Sequence, residues 1–170
     1  MREDWGSVAK TQSNQPSKDE FKVITTNRKA RFDYAIAETV EAGISLVGTE
    51  VKSLRAGRVN LKDSYAEIRG AEMFLVGAHI SPYEEANRFN HEPERLRKLL
   101  LHRREILRLG IKVREKGLTL VPLRMYFKSN RVKVELGLAR GKRMYDKRHA
   151  IAQRDAKRDV DRAMKEAKRE

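Results

Sequence analysis

Cysteine is absent from the 170 residues. That excludes disulfides, thiolate nucleophiles and thiolate metal ligands, and it fits a reducing cytoplasm. The four histidines, His79, His91, His102 and His149, are scattered and show no His-x-x-x-His spacing, so neither a metal nor a cofactor is expected. No apolar run approaches the roughly 20 residues that span a bilayer. Met1-Arg2-Glu3-Asp4-Trp5-Gly6 is not followed by the apolar stretch of a signal peptide. A phosphate-cradling Gly-x-x-x-x-Gly-Lys-Ser/Thr, a Gly-x-Gly-x-x-Gly and a nucleophile elbow are all missing. Most Asp and Glu residues lie among Lys and Arg, where ion pairing explains them. The sequence therefore argues for binding rather than catalysis. An RNA-processing enzyme with dispersed acid and base residues stays as a minor alternative.

What the chain has in excess is positive charge, 38 Lys and Arg against 24 Asp and Glu, a net +14. Phosphate backbones are the natural partner, because each neutralised phosphate releases condensed counterions. A membrane surface would require a strongly apolar helical face or a lipid anchor, and neither is evident. The length suits one domain with extensions.

Three segments follow from composition. Residues 1–20 are polar and read as a flexible leader that holds the single tryptophan, Trp5. Residues 21–140 carry the apolar patterning of a folded domain. Residues 141–170 are basic and contain few large apolar side chains, so the segment cannot offset its own ordering entropy. From Ala150 on it is rich in helix formers, with Ala152, Ala156, Val160, Ala163 and Ala167 on one face. This reads as a tail that is disordered when free and helical along a polyanion, the plain alternative being a solvated tail with no partner.

Within the body, Phe21–Ile24 reads as a short strand or as the point where the leader docks, and Thr26–Arg31 as a basic patch. Phe32, Tyr34 and Ile36 alternate with small or charged residues and predict a strand that runs to Gly48, bent or bulged at Gly43. Residues 48–57 predict a short helix, capped by Thr49 and ended by Gly57. Residues 64–69 and 73–80 predict a hairpin. Glu94 to about Leu109 predicts the clearest helix of the body, interrupted near Gly110 and continuing to Gly117. Residues 118–127, with Pro122 at an edge or bulge, and 131–139 predict two strands joined at Ser129-Asn130. The fold class is mainly β: an oligonucleotide-binding-like closed β-barrel of about six strands, with two or three helices and a basic C-terminal tail.

Several runs together resemble one family. They are Asn27-Arg28-Lys29-Ala30-Arg31, Glu41-Ala42-Gly43, Gly48-Thr49-Glu50-Val51-Lys52-Ser53-Leu54-Arg55-Ala56-Gly57, Asp63-Ser64-Tyr65, Arg97-Lys98-Leu99-Leu100-Leu101-His102, and Gly141-Lys142-Arg143 with Asp146-Lys147-Arg148. They are similar to small protein B, the SsrA-binding protein family of bacterial trans-translation, over about residues 27–162. His102 stands at a position that is often Asn in the family, and Tyr145 at one that carries His, so a flat ring is kept.

The resemblance implies a cytoplasmic, monomeric, non-enzymatic adaptor. Its barrel would hold the tRNA-like domain of transfer-messenger RNA in place of the missing anticodon arm. Its tail would enter the empty mRNA path of a stalled ribosome and fold there as a helix. Glu41, Leu100 and His102 match family positions implicated in the tRNA-like domain contact. Arg28, Lys29, Arg31, Lys52, Arg55 and Lys98 are candidates for its phosphates. A carboxylate such as Glu41 can accept from base amino groups and ribose hydroxyls, although pairing with Lys or Arg would also account for it. Leu100, on helical spacing alone, would be core. In the tail, Lys142, Arg143, Tyr145, Asp146, Lys147 and Arg148 match the segment that engages the decoding region, with Arg154, Lys157 and Arg158 as further cations. A ribosome-assembly or translation factor that binds only rRNA is the alternative with the same composition.

Overall fold

A computed structural model of the chain describes residues 21–86 and 90–167; within the last helix the side chains of Met144, Tyr145, His149, Ala150, Ala163, Glu166 and Ala167 are not described. The leader with Trp5, part of the Tyr83–Pro93 loop and the last three residues of the tail lie outside the described residues.

Among the described residues there are nine strands, four α-helices and one 3-10 turn, Glu84–Ala86. In order they are β1 (Lys22–Thr26), α1 (Arg28–Asp33), β2 (Tyr34–Ile44), α2 (Gly48–Arg55), β3 (Val59–Asn60), β4 (Tyr65–Arg69), β5 (Glu72–Val76), β6 (His79–Ile80), β7 (Arg97–Leu100), α3 (Arg103–Lys116), β8 (Thr119–Lys128), β9 (Arg131–Gly141) and α4 (Met144–Ala167). Six strands close on themselves in the order β8-β4-β5-β7-β2-β9, with β9 pairing back to β8, every pairing antiparallel. β1 adds to the free side of β8, and β3 with β6 forms a separate two-stranded ribbon. The closed six-stranded ring is the expected architecture.

Alternation decides what fills the ring. On β9, Val134, Leu136 and Leu138 point inward and meet Met73, Leu75 and Leu99 from β5 and β7. β8 is buried on both faces. Leu120, Met125 and Phe127 belong to the interior, whereas Val121 and Leu123 pack under α1 with Ala30 and Ala139. Ser129 and Asn130 turn β8 into β9 with positive φ at both residues, +47° and +60°, the geometry of a two-residue hairpin loop. The register shift between Pro122 and Arg124 is the bulge expected at that proline.

Four expectations are corrected. The run 94–109 is not one helix. Arg97–Leu100 is strand β7, with Arg97 and Leu99 buried and Lys98 and Leu100 exposed. Helix α3 begins only at Arg103, where Glu105 reaches back to accept from the His102 N–H at 2.9 Å, and it runs unbroken through Gly110. Phe32 opens no strand: Asn27 accepts from the Ala30 N–H at 3.0 Å and nucleates α1 in the basic patch, so β2 starts at Tyr34. The β2 register shift lies between Ile36 and Glu38, not at Gly43. Gly43 serves close approach instead, since a Cβ there would stand 3.1 Å from the Leu100 Cβ. Thr49 does not cap α2. Glu50 accepts from the Val47 N–H at 2.8 Å, while Thr49 Oγ1 meets His91 Nδ1 at 3.0 Å. Gly57 does end α2, with φ +72°.

The Glu50 carboxylate is fully buried and bound by Arg97 at 2.7 Å and Arg95 at 2.5 Å. Burial would raise its pKa. The hydrogen bonds from Arg95, the Val47 N–H and Arg97 overcome that and hold it below the ordinary carboxylate value. A depressed folded-state pKa contributes stability that is complete above the unfolded value, near 4.5, and is lost as pH falls through the folded one. Denaturant titrations below that pH should therefore show a shallower loss of stability for Glu50→Gln than for the parent. An equal slope would mean that this carboxylate does not contribute to acid unfolding.

Candidate RNA interface

A groove of about 580 Å³ opens where β2, β5, β7, β9 and the start of α3 meet. Its walls bring together Glu41, Lys98, Leu100 and His102, four of the residues singled out from the sequence, and add Lys133 and Arg103. The register accounts for this gathering. Gly43 pairs with Leu100 on one side and with Lys133 on the other, so side chains of three strands converge around one glycine. Leu100 is 51% exposed, so it is a groove residue and not core as helical spacing would have it.

Glu41 stands on the exposed side of β2 and holds three partners. The Tyr126 hydroxyl donates to Oε2 at 2.5 Å, and Lys128 and Lys133 lie at 3.4 and 3.9 Å. The Tyr126 hydrogen bond, then the two lysines, hold the Glu41 carboxyl below its ordinary pKa against the effect of burial. Burial and the bond to Glu41 push the Tyr126 phenol well up. The sequence reading missed Tyr126, Lys128, Lys133 and Arg103. Lys128 and Lys133 flank the β8–β9 turn, so a hairpin drawn with its register would have placed them together.

A second cationic surface forms where α4 meets α1. Arg28, Lys29, Arg31, Arg154 and Arg158 surround Phe32 in a cleft of about 560 Å³. The Arg154 guanidinium sits 5.5 Å from the Phe32 ring centroid, and Lys147 pairs with Asp33 at 2.9 Å. The Lys142 N–H donates to the Asp33 carbonyl at 2.8 Å, which fixes the exit of β9 into the tail. Phe32 was read as a strand residue, and its place among five cations needed the helix. Lys29 is also paired, with Asp63 at 2.5 Å, and Arg31 lies 3.9 Å from Glu135.

The remaining predicted residues lie elsewhere. Lys52 and Arg55, on α2, line neither surface; Lys52 stacks 5.2 Å from the Tyr83 ring centroid and Arg55 reaches Asn130 at 3.4 Å. Arg143, Asp146, Arg148 and Lys157 are exposed, and the Tyr145 side chain lies outside the described part.

A family profile described as SmpB protein matches residues 24–166. The chain belongs to the SmpB family. Among curated relatives, the SsrA-binding protein of Desulforamulus reducens is 64% identical over 147 residues, 86% of this chain and 91% of that one. That of Carboxydothermus hydrogenoformans is 62% identical over 144 residues, 85% of this chain and 97% of that one. A solved structure described as "tmRNA-SmpB: a journey to the center of the bacterial ribosome" superposes with a TM-score of 0.61 at 53% identity, covering 75% of this chain and 93% of that one. The ring seen here is thus that of the SmpB family. Among the described residues no helix is long and apolar enough to cross a membrane.

Proposed function

We propose that this chain binds the tRNA-like domain of transfer-messenger RNA in the Glu41–Leu100–His102 groove and delivers that RNA to stalled ribosomes. The observation that carries the reading is the fold match, at 53% identity, to a chain whose structure is described as tmRNA-SmpB and its journey to the center of the bacterial ribosome. The groove's chemistry supports it. Lys98, Lys133 and Arg103 offer cations to phosphates, Leu100 offers an apolar surface to a base or ribose, and Glu41 and His102 can hydrogen-bond base edges and 2′-hydroxyls. On this reading the protein positions RNA and performs no reaction of its own, and it works in the cytoplasm, where ribosomes translate.

The basic tail, residues 141–170, is the second RNA surface. Ile151, Val160 and Met164 on α4 are 46, 52 and 62% exposed, so the ring leaves them uncovered. The tail gains little from the ring and is free to lie along ribosomal RNA in the empty mRNA channel, with Lys142, Arg143, Tyr145, Asp146, Lys147 and Arg148 nearest the decoding region. A free tail that loses its helix and regains it on rRNA would match the low apolar content of residues 141–170.

Labelled tRNA-like domain, titrated at fixed physiological salt with excess ordinary tRNA as competitor, tests the reading. Binding should survive the competitor, and Glu41→Ala should weaken it about tenfold, the scale of one hydrogen bond to a charged group. Equal displacement by ordinary tRNA would mean that the ring reads charge alone and would favour a factor that binds rRNA only.

A further inference from the structure

Tyr126 stands apart from the groove in sequence and strand order, yet its hydroxyl ends on the Glu41 carboxylate, whereas the groove's other two carboxylates, Glu72 and Glu105, are held by Lys98 and by the His102 N–H. β9 lies between β2 and β8 in the sheet, and the Cα partners of Glu41 and Tyr126 on β9 are Glu135 and Lys133. A side chain from β8 must therefore cross a whole strand to touch Glu41, and the tyrosine ring gives the hydroxyl that reach. Met125 and Phe127 point into the ring, so Tyr126 lies on the outer face. There it is 3% exposed, covered by the Phe21 ring at 4.5 Å and by the Arg124 guanidinium at 5.4 Å.

The other two partners of Glu41 are of a different kind. Lys128 and Lys133 are longer contacts on flexible stems, 41 and 29% exposed, and an arriving phosphate can draw both away. A carboxylate released in that way would turn freely beside the RNA. The phenol cannot follow a phosphate, because its ring is packed and its oxygen is neutral.

We propose that Tyr126 is a positioning residue: it fixes one oxygen of the Glu41 carboxylate so that the other faces the groove, ready to accept from RNA after the lysines have moved to phosphates. This rests on the reading of Glu41 as an RNA contact. The arrangement lowers the ordering cost of the contact, as preorganisation does, and it explains how the Glu41 carboxylate operates beside two lysines. Tyrosine to phenylalanine keeps the ring and its packing against Phe21 and removes only the bond.

The test is a double-mutant cycle in the full-length chain, with the tRNA-like domain titrated against the parent, Glu41→Ala, Tyr126→Phe and the double variant, beside thermal unfolding of each. Each single change should weaken binding about five- to tenfold, the double variant should be no weaker than Glu41→Ala, and Tyr126→Phe should melt close to the parent. The Glu41 side-chain carboxyl carbon resonance should move in Tyr126→Phe while the amide spectrum stays in place elsewhere. If Glu41→Ala weakens binding and Tyr126→Phe does not, the positioning role is wrong and Glu41 acts alone. Additive losses, or a loss that tracks a lowered melting temperature, would make Tyr126 a packing residue and also overturn the proposal. If Glu41→Ala binds as the parent does, the reading of Glu41 falls, and the positioning role with it.

Discussion

Removing residues 141–170 is expected to leave binding of the tRNA-like domain nearly intact and to reduce tagging of nascent chains on stalled ribosomes to background. The deleted segment holds eleven Lys and Arg against six Asp and Glu, so the net charge falls from +14 to +9 and the ring stays strongly basic. The groove residues all precede residue 134. The fold should tolerate the loss, because residues 151–162 are exposed throughout and the described ties between tail and body are few: the last β9 pairing, Gly141 with Tyr34, then Lys142 to Asp33, Lys142 to Arg31, Lys147 to Asp33 and Arg154 on Phe32. The unfolding temperature and the affinity for the tRNA-like domain should both stay near the parent's, while a reconstituted rescue reaction yields no tagged product. Tagging at parental level by the truncated chain would show that the tail is dispensable.

Arg97→Ala should be the most destabilising single substitution in the ring. The guanidinium is fully buried. It donates to Glu50 Oε1 at 2.7 Å and to the carbonyls of Ala78, Pro93 and Arg95 at 2.6, 2.8 and 3.1 Å. Its removal opens a cavity, strips three carbonyls of a donor and leaves the Glu50 carboxylate with Arg95 and the Val47 N–H. Breaking a buried pair from one side costs about 3–5 kcal/mol, a large part of the 5–15 kcal/mol that holds a typical domain. Arg97→Lys should recover only part of this, since an ammonium cannot reproduce the guanidinium's flat fork. Replacing both partners, Glu50→Gln with Arg97→Met, should be less damaging than Arg97→Ala, because the one charge that then loses its partner, Arg95, is 30% exposed and reaches water. Urea unfolding of the four proteins checks the order. A double variant weaker than Arg97→Ala would show that the pair stabilises beyond its own desolvation. RNA affinity should fall with Arg97→Ala as well, since the same strand presents Lys98 and Leu100 to the groove.

Arg97 also shows where reading the sequence goes astray. The run 96–109 has leucines at helical spacing, and a pattern of threes and fours runs through it. Within Arg97–Leu100 the inward positions are Arg97 and Leu99, and a buried arginine looks to any hydrophobic pattern like a wet residue. Only its partner Glu50, 47 residues earlier, turns it into a core residue. The start at Arg103 was legible in part, because Glu105 three residues after His102 is a helix-start signal. Phe32 went wrong for a related reason. Its alternation with Tyr34 and Ile36 was genuine, but the hydrogen bonds of Asn27 to Ala30, Leu61 and Pro122 set a helix there first. Where local signals agreed the reading held: the β8–β9 hairpin at Ser129-Asn130, the bulge at Pro122 and the end of α2 at Gly57 each rest on chemistry within a few residues.

By itself the sequence determined five of the six strands in the ring, all but β7, the basic excess of the chain and, through its family motifs, which residues to look for. These depend on composition and on periodicities that neighbouring residues impose on one another. Tertiary structure alone decided which of those residues meet. Glu41, Lys98, Leu100 and His102 share a groove because β7 and β9 flank the same stretch of β2, and Lys52 and Arg55 are left out because α2 lies elsewhere. Tyr126 joins Glu41 from 85 residues away, across a strand that belongs to neither. Pairings at such separations are set by closure of the ring, and no local pattern in the chain encodes them.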